Sequence, residues 1–570
     1  MTTFYPIYLR ERFTNRAHEL AFLERVVEDL RNGRPRHVAI FGLRRIGKTL
    51  LCQEQVLRLL AEGDIIPIYL DMEDLCTAPE PFAQRYIGLT CFWALTKGVG
   101  PVDSFLTVER LLETQAAEVP VAVRTAGAIS RELGRDKPDY SVLLKLAFDF
   151  PDQLSQALGR PLMCFLDEFP ELSSLGNFPG AGDPLKHFRA SLQQQSQVSY
   201  VITGSAIAVM ERLIRDHESP LFLQFRTLEL QPFTPEDTRE LVEKLVGPLA
   251  PAAQAAIHTY TFGHPFYVTA LAERLRELAP AGPEAVHVQQ VQQAFLLETL
   301  SRQGQIYGYC RYLYDISLQK ARGYGLLKAL LQVLAEEEGL PLSEVARRLR
   351  RQASATREYL RWLMEVDLVT EEDKLYYYRD PVLRFWVAYT SRGVEVDAFP
   401  RREDLEGLVA DLAERFQRVS TQLGRAKESE VRELLRRLAG QTVDGIHFGQ
   451  TGTVQIPDFT RIEPYRSPDG RVEVDALAEA CTEASAEASA EAPGRSNGER
   501  WVVEVKWRQK RVGQRELEQL MEWAEQLQAR PWCISQAGFT PEAVAYATER
   551  DMLISNADDL AALERVASPR

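Results

Sequence analysis

Seven cysteines are spread over 570 residues, at Cys52, Cys76, Cys91, Cys164, Cys310, Cys481 and Cys533. None forms a CxxC pair, and none has a histidine at metal-ligand spacing. A zinc site and a disulfide framework are thereby set aside in favour of reduced thiols. No apolar run approaches the roughly 20 residues that a membrane-spanning helix needs. The opening segment MTTFYPIYLRERF lacks signal-peptide architecture, so a cytoplasmic protein without membrane attachment is expected. A basic excess is missing as well: 81 acidic against 67 basic residues leave a net charge of −14. Such a chain is no general polyanion binder, and any nucleic-acid contact must come from a local basic patch. Apolar content of 45% and charged content of 26% are ordinary for globular proteins. The length suggests roughly three or four domains.

Against those absences stands one specific motif. Residues 42–49 read Gly42-Leu43-Arg44-Arg45-Ile46-Gly47-Lys48-Thr49, a full GxxxxGK[ST] loop. The short apolar run His37 to Phe41 precedes it as a buried parallel strand would, and Leu50 to Leu60 follows with helical spacing. In such a loop backbone N–H groups point inward, and the helix N-terminus adds positive potential for phosphates. Residues Gly42 to Leu50 are therefore expected to cradle ATP, with Lys48 at the β- and γ-phosphates and the Thr49 hydroxyl on Mg²⁺.

The rest of a hydrolytic site is sought at strand ends. Residues 161–168 form an apolar run that closes on Asp167 and Glu168. Asp167 fits the carboxylate that holds Mg²⁺, and Glu168 the one that orients or deprotonates the attacking water. A second apolar run, Ser199 to Ser205, ends in small hydroxyl residues. Thr203 or Ser205 would sense the γ-phosphate there, or else simply cap the strand end.

Phe13-Thr14-Asn15-Arg16 with Glu19-Leu20, the loop GLRRIGKT, the run FLDEFPEL and the run ITGS together resemble the archaeal-type ATPases. These are a branch of the signal-transducing P-loop (STAND) ATPases, an AAA-like class. The resemblance covers residues 10 to about 300. It implies that Arg226, after Ser219-Pro220-Leu221 and Phe225, is a γ-phosphate contact or arginine finger acting in cis or from a neighbouring copy. This chain carries Phe225 where the family usually has glycine. The resemblance also implies that Phe262-Gly263-His264-Pro265 belongs to a helical lid near the nucleotide, and that nucleotide state sets domain arrangement. His264 is either part of that approach or a satisfied lid histidine.

Past the lid, residues 325–338 read as a helix, Leu342 onward as a second, and Ser354 through Leu363 as a third. A turn at Glu371 to Lys374 leads into Leu375-Tyr376-Tyr377-Tyr378. Three helices and a β-wing spell a winged helix-turn-helix, and Tyr378 to Trp386 resembles the Asp-Pro-x-x-x-x-Trp stretch that follows it in the same family. From Glu344 to Arg361 six arginines face two glutamates, with Arg357 and Arg361 one turn apart. That face could meet DNA, or it could serve domain packing.

Near the C-terminus, Asp475 is placed at a strand end, and Glu504-Val505-Lys506 lies on the next strand. This D…ExK grouping is the signature of the restriction-endonuclease-like fold. Two carboxylates on adjacent strands hold Mg²⁺, and a lysine beside them neutralises developing charge. A strand's period of two puts Glu504 and Lys506 on one face. Glu428, three residues before Val431, resembles the first-helix glutamate of such nucleases. Between Asp475 and Glu504 the chain inserts ALAEACTEASAEASAEAPGRSNGER, read as a mobile acidic surface loop.

The expected architecture is α/β and multidomain. It comprises a P-loop ATPase core over 1–233, a helical lid over 234–305 and a winged helix over 306–392. Linker helices over 393–427 and a restriction-endonuclease-like domain over 428–570 complete it. The expected function is an ATP-hydrolysing switch coupled to DNA binding and Mg²⁺-dependent DNA cleavage. The alternative is a nucleotide-gated regulator or scaffold whose nuclease-like domain does not cut. Homo-oligomers would fit either.

Overall fold

Runs of Val, Ile, Leu and Phe with no polar alternation become the interior of a parallel sheet, covered on both faces. In the computed structural model these are Val38–Phe41 (β1), Ile66–Asp71 (β2), Leu162–Asp167 (β3), Val198–Gly204 (β4) and Arg226–Glu229 (β5). They pair in parallel in the order β2-β3-β4-β1-β5. Every residue of β1, β3 and β4 is buried, whereas the edge strand β5 exposes three of its four. Because the strands are parallel, the ends of β1, β3 and β4 share one edge of the sheet. The loop 42–47, Asp167 and Ser205 all emerge there.

The described residues are 4–278, 286–319, 324–337, 339–372, 374–397, 406–410, 412, 431–467, 472–480, 499–507 and 511–567. The chain divides into two units, Met1–Val409 and Ala410–Arg570. Among the described residues no helix is long and apolar enough to cross a membrane.

In the first unit the sheet is followed by five helices, Pro235–Leu245, Pro251–Thr261, Pro265–Leu278, Val288–Leu300 and Gln305–Gln319. The first three open on a proline, whose fixed φ and missing N–H suit a first helical turn. Thr234 and Asp237 close a reciprocal capping box on the first. Then come Tyr324–Glu336, Leu342–Leu349 and Ala353–Glu365, with Leu340–Pro341 (β6), Val369–Glu372 (β7) and Leu375–Tyr378 (β8) in an antiparallel sheet ordered β6-β8-β7. These bounds lie within a few residues of those expected from sequence. Asp380 caps the next helix, Pro381–Thr390, through the Val382 and Leu383 N–H groups, and accepts the Tyr267 hydroxyl at 2.5 Å. That bond ties the segment to the helix Pro265–Leu278.

The second unit holds a hairpin ladder, Thr442–Asp444 (β9) with Thr453–Gln455 (β10), and a mixed five-stranded sheet. The larger sheet runs Phe459–Arg466 (β11), Glu473–Ala480 (β12), Arg500–Lys506 (β13), Arg530–Ser535 (β14) and Leu553–Asn556 (β15), paired in sequence order. The first two pairings are antiparallel and the last two parallel, with helices Gln514–Leu527 and Pro541–Glu549 as crossovers. Trp501 and Trp532 are fully buried in its core.

Two expectations are corrected here. Asp475 lies near the start of β12, and the strand continues through Ala480, into what sequence reading assigned to the insertion. Ala476 and Ala478 are buried, and their small side chains alternate with Leu477 and Glu479 as a pleated strand requires. The low-complexity reading therefore keeps only residues outside the described ones. The expected boundary at 427/428 falls among residues that are likewise not described.

One close approach fixes a helix in the first unit. In Pro79–Thr96, a Cβ added at Gly88 would stand 1.7 Å from the Phe105 carbonyl oxygen. Helix propensity alone favours alanine there by about 1 kcal/mol. The collision reverses the sign, so Gly88→Ala is expected to cost about 1–3 kcal/mol. A urea-denaturation midpoint that stays put or rises in this variant would show that the Phe105 turn gives way freely.

Candidate functional site

The loop after β1 turns on Gly42, whose φ of 151° suits glycine and whose added Cβ would press on the Leu230 carbonyl oxygen at 2.7 Å. Lys48 opens the helix Lys48–Glu62 and is buried, its Nζ donating to the carbonyls of Gly42 at 2.8 Å and Leu43 at 3.0 Å. Burial pulls its pKa down to about 8, against the opposing pull of Glu168 and Asp167. Thr49 Oγ1 donates to Asp167 Oδ2 at 2.8 Å. The same oxygen accepts the Tyr69 hydroxyl at 2.6 Å, and Thr203 Oγ1 donates to Asp167 Oδ1. Burial, and then the charge of Asp167, drives the Tyr69 phenol far above its ordinary pKa, so Tyr69 remains a donor. Glu168 takes the left-handed region at φ 48°, and its Oε2 accepts Ser205 N at 3.1 Å and Ser205 Oγ at 3.0 Å.

Lys48, Thr49, Asp167 and Glu168 are thus brought together at one edge of the sheet. Lys48, Thr49 and Glu168 line a cavity of about 540 Å³, within the usual range for a small-molecule site, and Asp167 stands behind Thr49. Among its lining residues are Arg12, Arg16, Arg44, Arg45 and Lys48 against the single carboxylate Glu168, with Phe13, Phe233, Phe266, Tyr309 and Tyr312 around them. Arg12 is paired with Glu273 and Arg16 with Glu19, which leaves Arg44, Arg45 and Lys48 with the aromatic walls to suit a polyanion attached to a planar ring.

The helices after the sheet grip the tip of the loop. The Arg44 carbonyl accepts from His264 Nε2 at 3.1 Å and from the Tyr309 hydroxyl at 3.2 Å. Burial holds His264 neutral, its pKa pulled down to about 4. Arg45, at φ 61°, stacks over Phe266 at 4.4 Å and Tyr309 at 4.5 Å. Arg16 reaches under the loop, bonding the Ile46 carbonyl at 3.1 Å and the Gln231 carbonyl at 2.9 Å. Sequence reading assigned no site role to Tyr69, Tyr309 or Arg16. Only Arg16 carried a signal, through its place in the Phe13 to Arg16 stretch.

Arg226 is not brought to the loop of its own chain. It begins β5, pairs in register with Val38 at the start of β1, and stacks over Phe22 at 5.4 Å. The phosphate loop follows Phe41, which pairs with Glu229 at the far end of the same strand. Parallel pairing therefore puts Arg226 at the opposite edge of the sheet.

In the second unit, Asp475 on β12 flanks Ala476, which pairs with Val503 on β13. Asp475 Oδ2 accepts the Val505 N–H at 2.7 Å, so the carboxylate sits against the Glu504-Val505 segment. Lys506 Nζ bonds Glu504 Oε1, which places both on the face that the period of two demands. Arg432, in the helical residues 431–438, donates to the Asp475 carbonyl at 2.8 Å and pins the start of β12. Glu428 lies outside the described residues. Among the described residues no three His, Cys, Asp or Glu side chains converge as a metal cluster. A hard cation here would rest on Asp475 and Glu504 with water completing its shell, which suits Mg²⁺.

Residues 465–563 match the Mrr_cat family, described as a restriction endonuclease. This span contains Asp475, Glu504, Lys506 and the strands β12 to β15. Solved structures similar to the chain include the Walker-type ATPase PABY2304 of Pyrococcus abyssi, 17% identical over 66% of this chain and 97% of that one, with a TM-score of 0.43. The ORC2 protein of Aeropyrum pernix is 15% identical over 70% and 95%, at 0.41. The RuvB Holliday junction branch migration motor of Thermotoga maritima is 13% identical over 67% and 96%, at 0.32. No curated protein matches the chain. At TM-scores below 0.5 these likenesses add nothing to the strand order and the loop, which carry the fold by themselves. The chain joins a P-loop ATPase fold in its first unit to a restriction-endonuclease-like domain in its second.

Proposed function

We propose that the chain is an ATP-hydrolysing switch of the archaeal-type STAND kind, coupled to a DNA-binding winged helix and a Mg²⁺-dependent DNA nuclease. The observation that carries this reading is the meeting of Lys48, Thr49 and Glu168 at one cation-lined cavity, with Asp167 bonded to Thr49. Lys48 would exchange its two loop carbonyls for phosphate oxygens. The hydroxyl of Thr49 and the carboxylate of Asp167 form an all-oxygen donor set that would hold Mg²⁺, which neutralises phosphate charge when bound. Glu168 would take the proton of the attacking water once its Oε2 is released from Ser205. The aromatic residues Phe13 and Phe266 would flank the base. In this reading 1–233 is the ATPase core, 234–305 the lid, 306–392 the winged helix, 393–427 a linker and 428–570 the nuclease. Arg226 would serve only a nucleotide held by a neighbouring copy in a homo-oligomer.

For the winged helix, Arg357 and Arg361 are exposed on Ala353–Glu365, one turn apart, and free to meet phosphates. By contrast, Arg347 and Arg348 are engaged by Glu344. In the nuclease domain, Asp475 and Glu504 would hold the metal, and Lys506 would stabilise charge on the scissile phosphate.

Three measurements test these assignments. Lys48→Ala should abolish triphosphate binding, while Glu168→Gln should bind ATP and lose about 100-fold or more of turnover. Normal hydrolysis by Glu168→Gln would remove it as the base. Second, Lys48 sits near pKa 8 without nucleotide, and phosphates would raise that value. Affinity is then complete below about pH 8 and declines as pH rises, with proton uptake on binding. Calorimetry at about pH 8.5 in two buffers of different ionisation enthalpy reads the uptake directly. Equal heats in the two buffers would place the proton elsewhere. Third, plasmid nicking with Mg²⁺ or Mn²⁺, with and without ATP, should vanish in Asp475→Ala and Lys506→Ala. Wild-type protein that leaves every DNA intact would favour a regulator with a silent nuclease fold.

A further inference from the structure

The helix Ile207–Arg215 follows β4 directly from the hydrolysis site, and it starts without a cap of its own. Ala206 stands at the N-cap and offers no side-chain acceptor. The acceptor comes from far along the chain. Asp367 Oδ1 takes the Ala208 N–H at 3.1 Å across 159 residues, and the Ile207 N–H bonds the same carboxylate. Asp367 occupies the turn after the winged-helix segment's third helix, Ala353–Glu365, in the left-handed region at φ 59°. Its side chain is only 13% exposed, with Arg379 Nε 3.8 Å away. Beside it, Arg212 and Glu365 approach to 3.8 Å across the same seam.

The other end of this short stretch is held by Glu168. Ser205 donates both its N–H and its hydroxyl to Glu168 Oε2. Residues 205–208 are thus gripped by two carboxylates, Glu168 at one end and Asp367 at the other. Two accepted hydrogen bonds commit the lone pairs of Oε2. In this arrangement Oε2 is held by Ser205 and not by the attacking water.

We propose that Asp367 is a positioning residue for ATP hydrolysis: by capping Ile207–Arg215 it fixes Ser205 against Glu168 and holds Oε2 of that carboxylate in a bond that competes with the attacking water. Departure of the winged-helix segment removes the cap, loosens 205–208 and returns Glu168 to the water. The inference rests on Glu168 as the hydrolytic base and names what regulates it. It also gives the position of Asp367 a reason, since burial disfavours its charge and only the helix N–H groups and Arg379 offset that.

The test compares steady-state ATP hydrolysis by the full chain in wild type, Asp367→Ala and Asp367→Asn, with Glu168→Gln as reference. Asp367→Ala is expected to raise kcat about fivefold or more, with KM for ATP within about twofold. Asp367→Asn keeps an acceptor oxygen, and asparagine caps about as well as aspartate, so it should stay near wild type. Amide hydrogen exchange at 206–209 should quicken in the alanine variant and not in the asparagine variant. An unchanged or lowered kcat in Asp367→Ala, or exchange that does not quicken, overturns the proposal. So does a wild type without turnover that stays silent in Asp367→Ala. Failure of the underlying assignment has its own signature, Glu168→Gln turning over as fast as wild type.

Discussion

The first unit is organised around a carboxylate that the fold buries at the end of a central strand. Asp167 is 6% exposed, and an ionised group so enclosed is tolerable only with donors converging on it. The donors come from three separate elements: Thr49 from the helix after the phosphate loop, Tyr69 from β2 and Thr203 from β4. Satisfying this one group therefore fixes the register of β2 and β4 against β3 and the rotation of the helix Lys48–Glu62. The neighbouring Lys48 is held in the same way, by loop carbonyls that would otherwise face inward unpaired. Catalytic geometry and structural satisfaction are here the same set of hydrogen bonds.

How much of this was legible depended on whether the determining contacts are local. The phosphate loop is read directly, because its chemistry and its backbone conformation are encoded in eight consecutive residues. Asp167 and Glu168 are read because a buried strand ending in two acids is costly without a purpose. Glu504 and Lys506 are read because two positions on one strand must share a face. Tyr69 gives no such signal: its run Ile66–Asp71 looks like any strand, and only pairing with β3 turns a half-buried tyrosine into a partner of Asp167. Arg226 shows the converse. Its family likeness named a role in cis or from a neighbouring copy, and parallel pairing sets the first residue of β5 at the sheet edge away from its own phosphate loop.

Asp475 and Asp367 illustrate the same limit from two sides. Sequence reading placed Asp475 on a strand but ended the strand too soon, because an Ala/Glu alternation looks like low complexity until a neighbour supplies a ladder for it. The role of Asp367 rests on an absence far back in the chain, Ala206 where a cap should be. No local pattern connects the two positions, and neither would be noticed alone.

Charge shows why global composition misleads about the site. The chain carries a net −14, which argues against a polyanion ligand. Yet the cavity gathers five cationic side chains, of which Arg12 and Arg16 are paired with Glu273 and Glu19 while Arg44, Arg45 and Lys48 remain at the loop, and those local charges count for more than distant acids screened by water. Burial lowers the pKa of Lys48 toward neutrality. A site that disfavours the charge of Lys48 in this way gains most from a ligand that restores it, and a triphosphate does so at the mouth of the helix Lys48–Glu62, where the helix dipole already favours an anion.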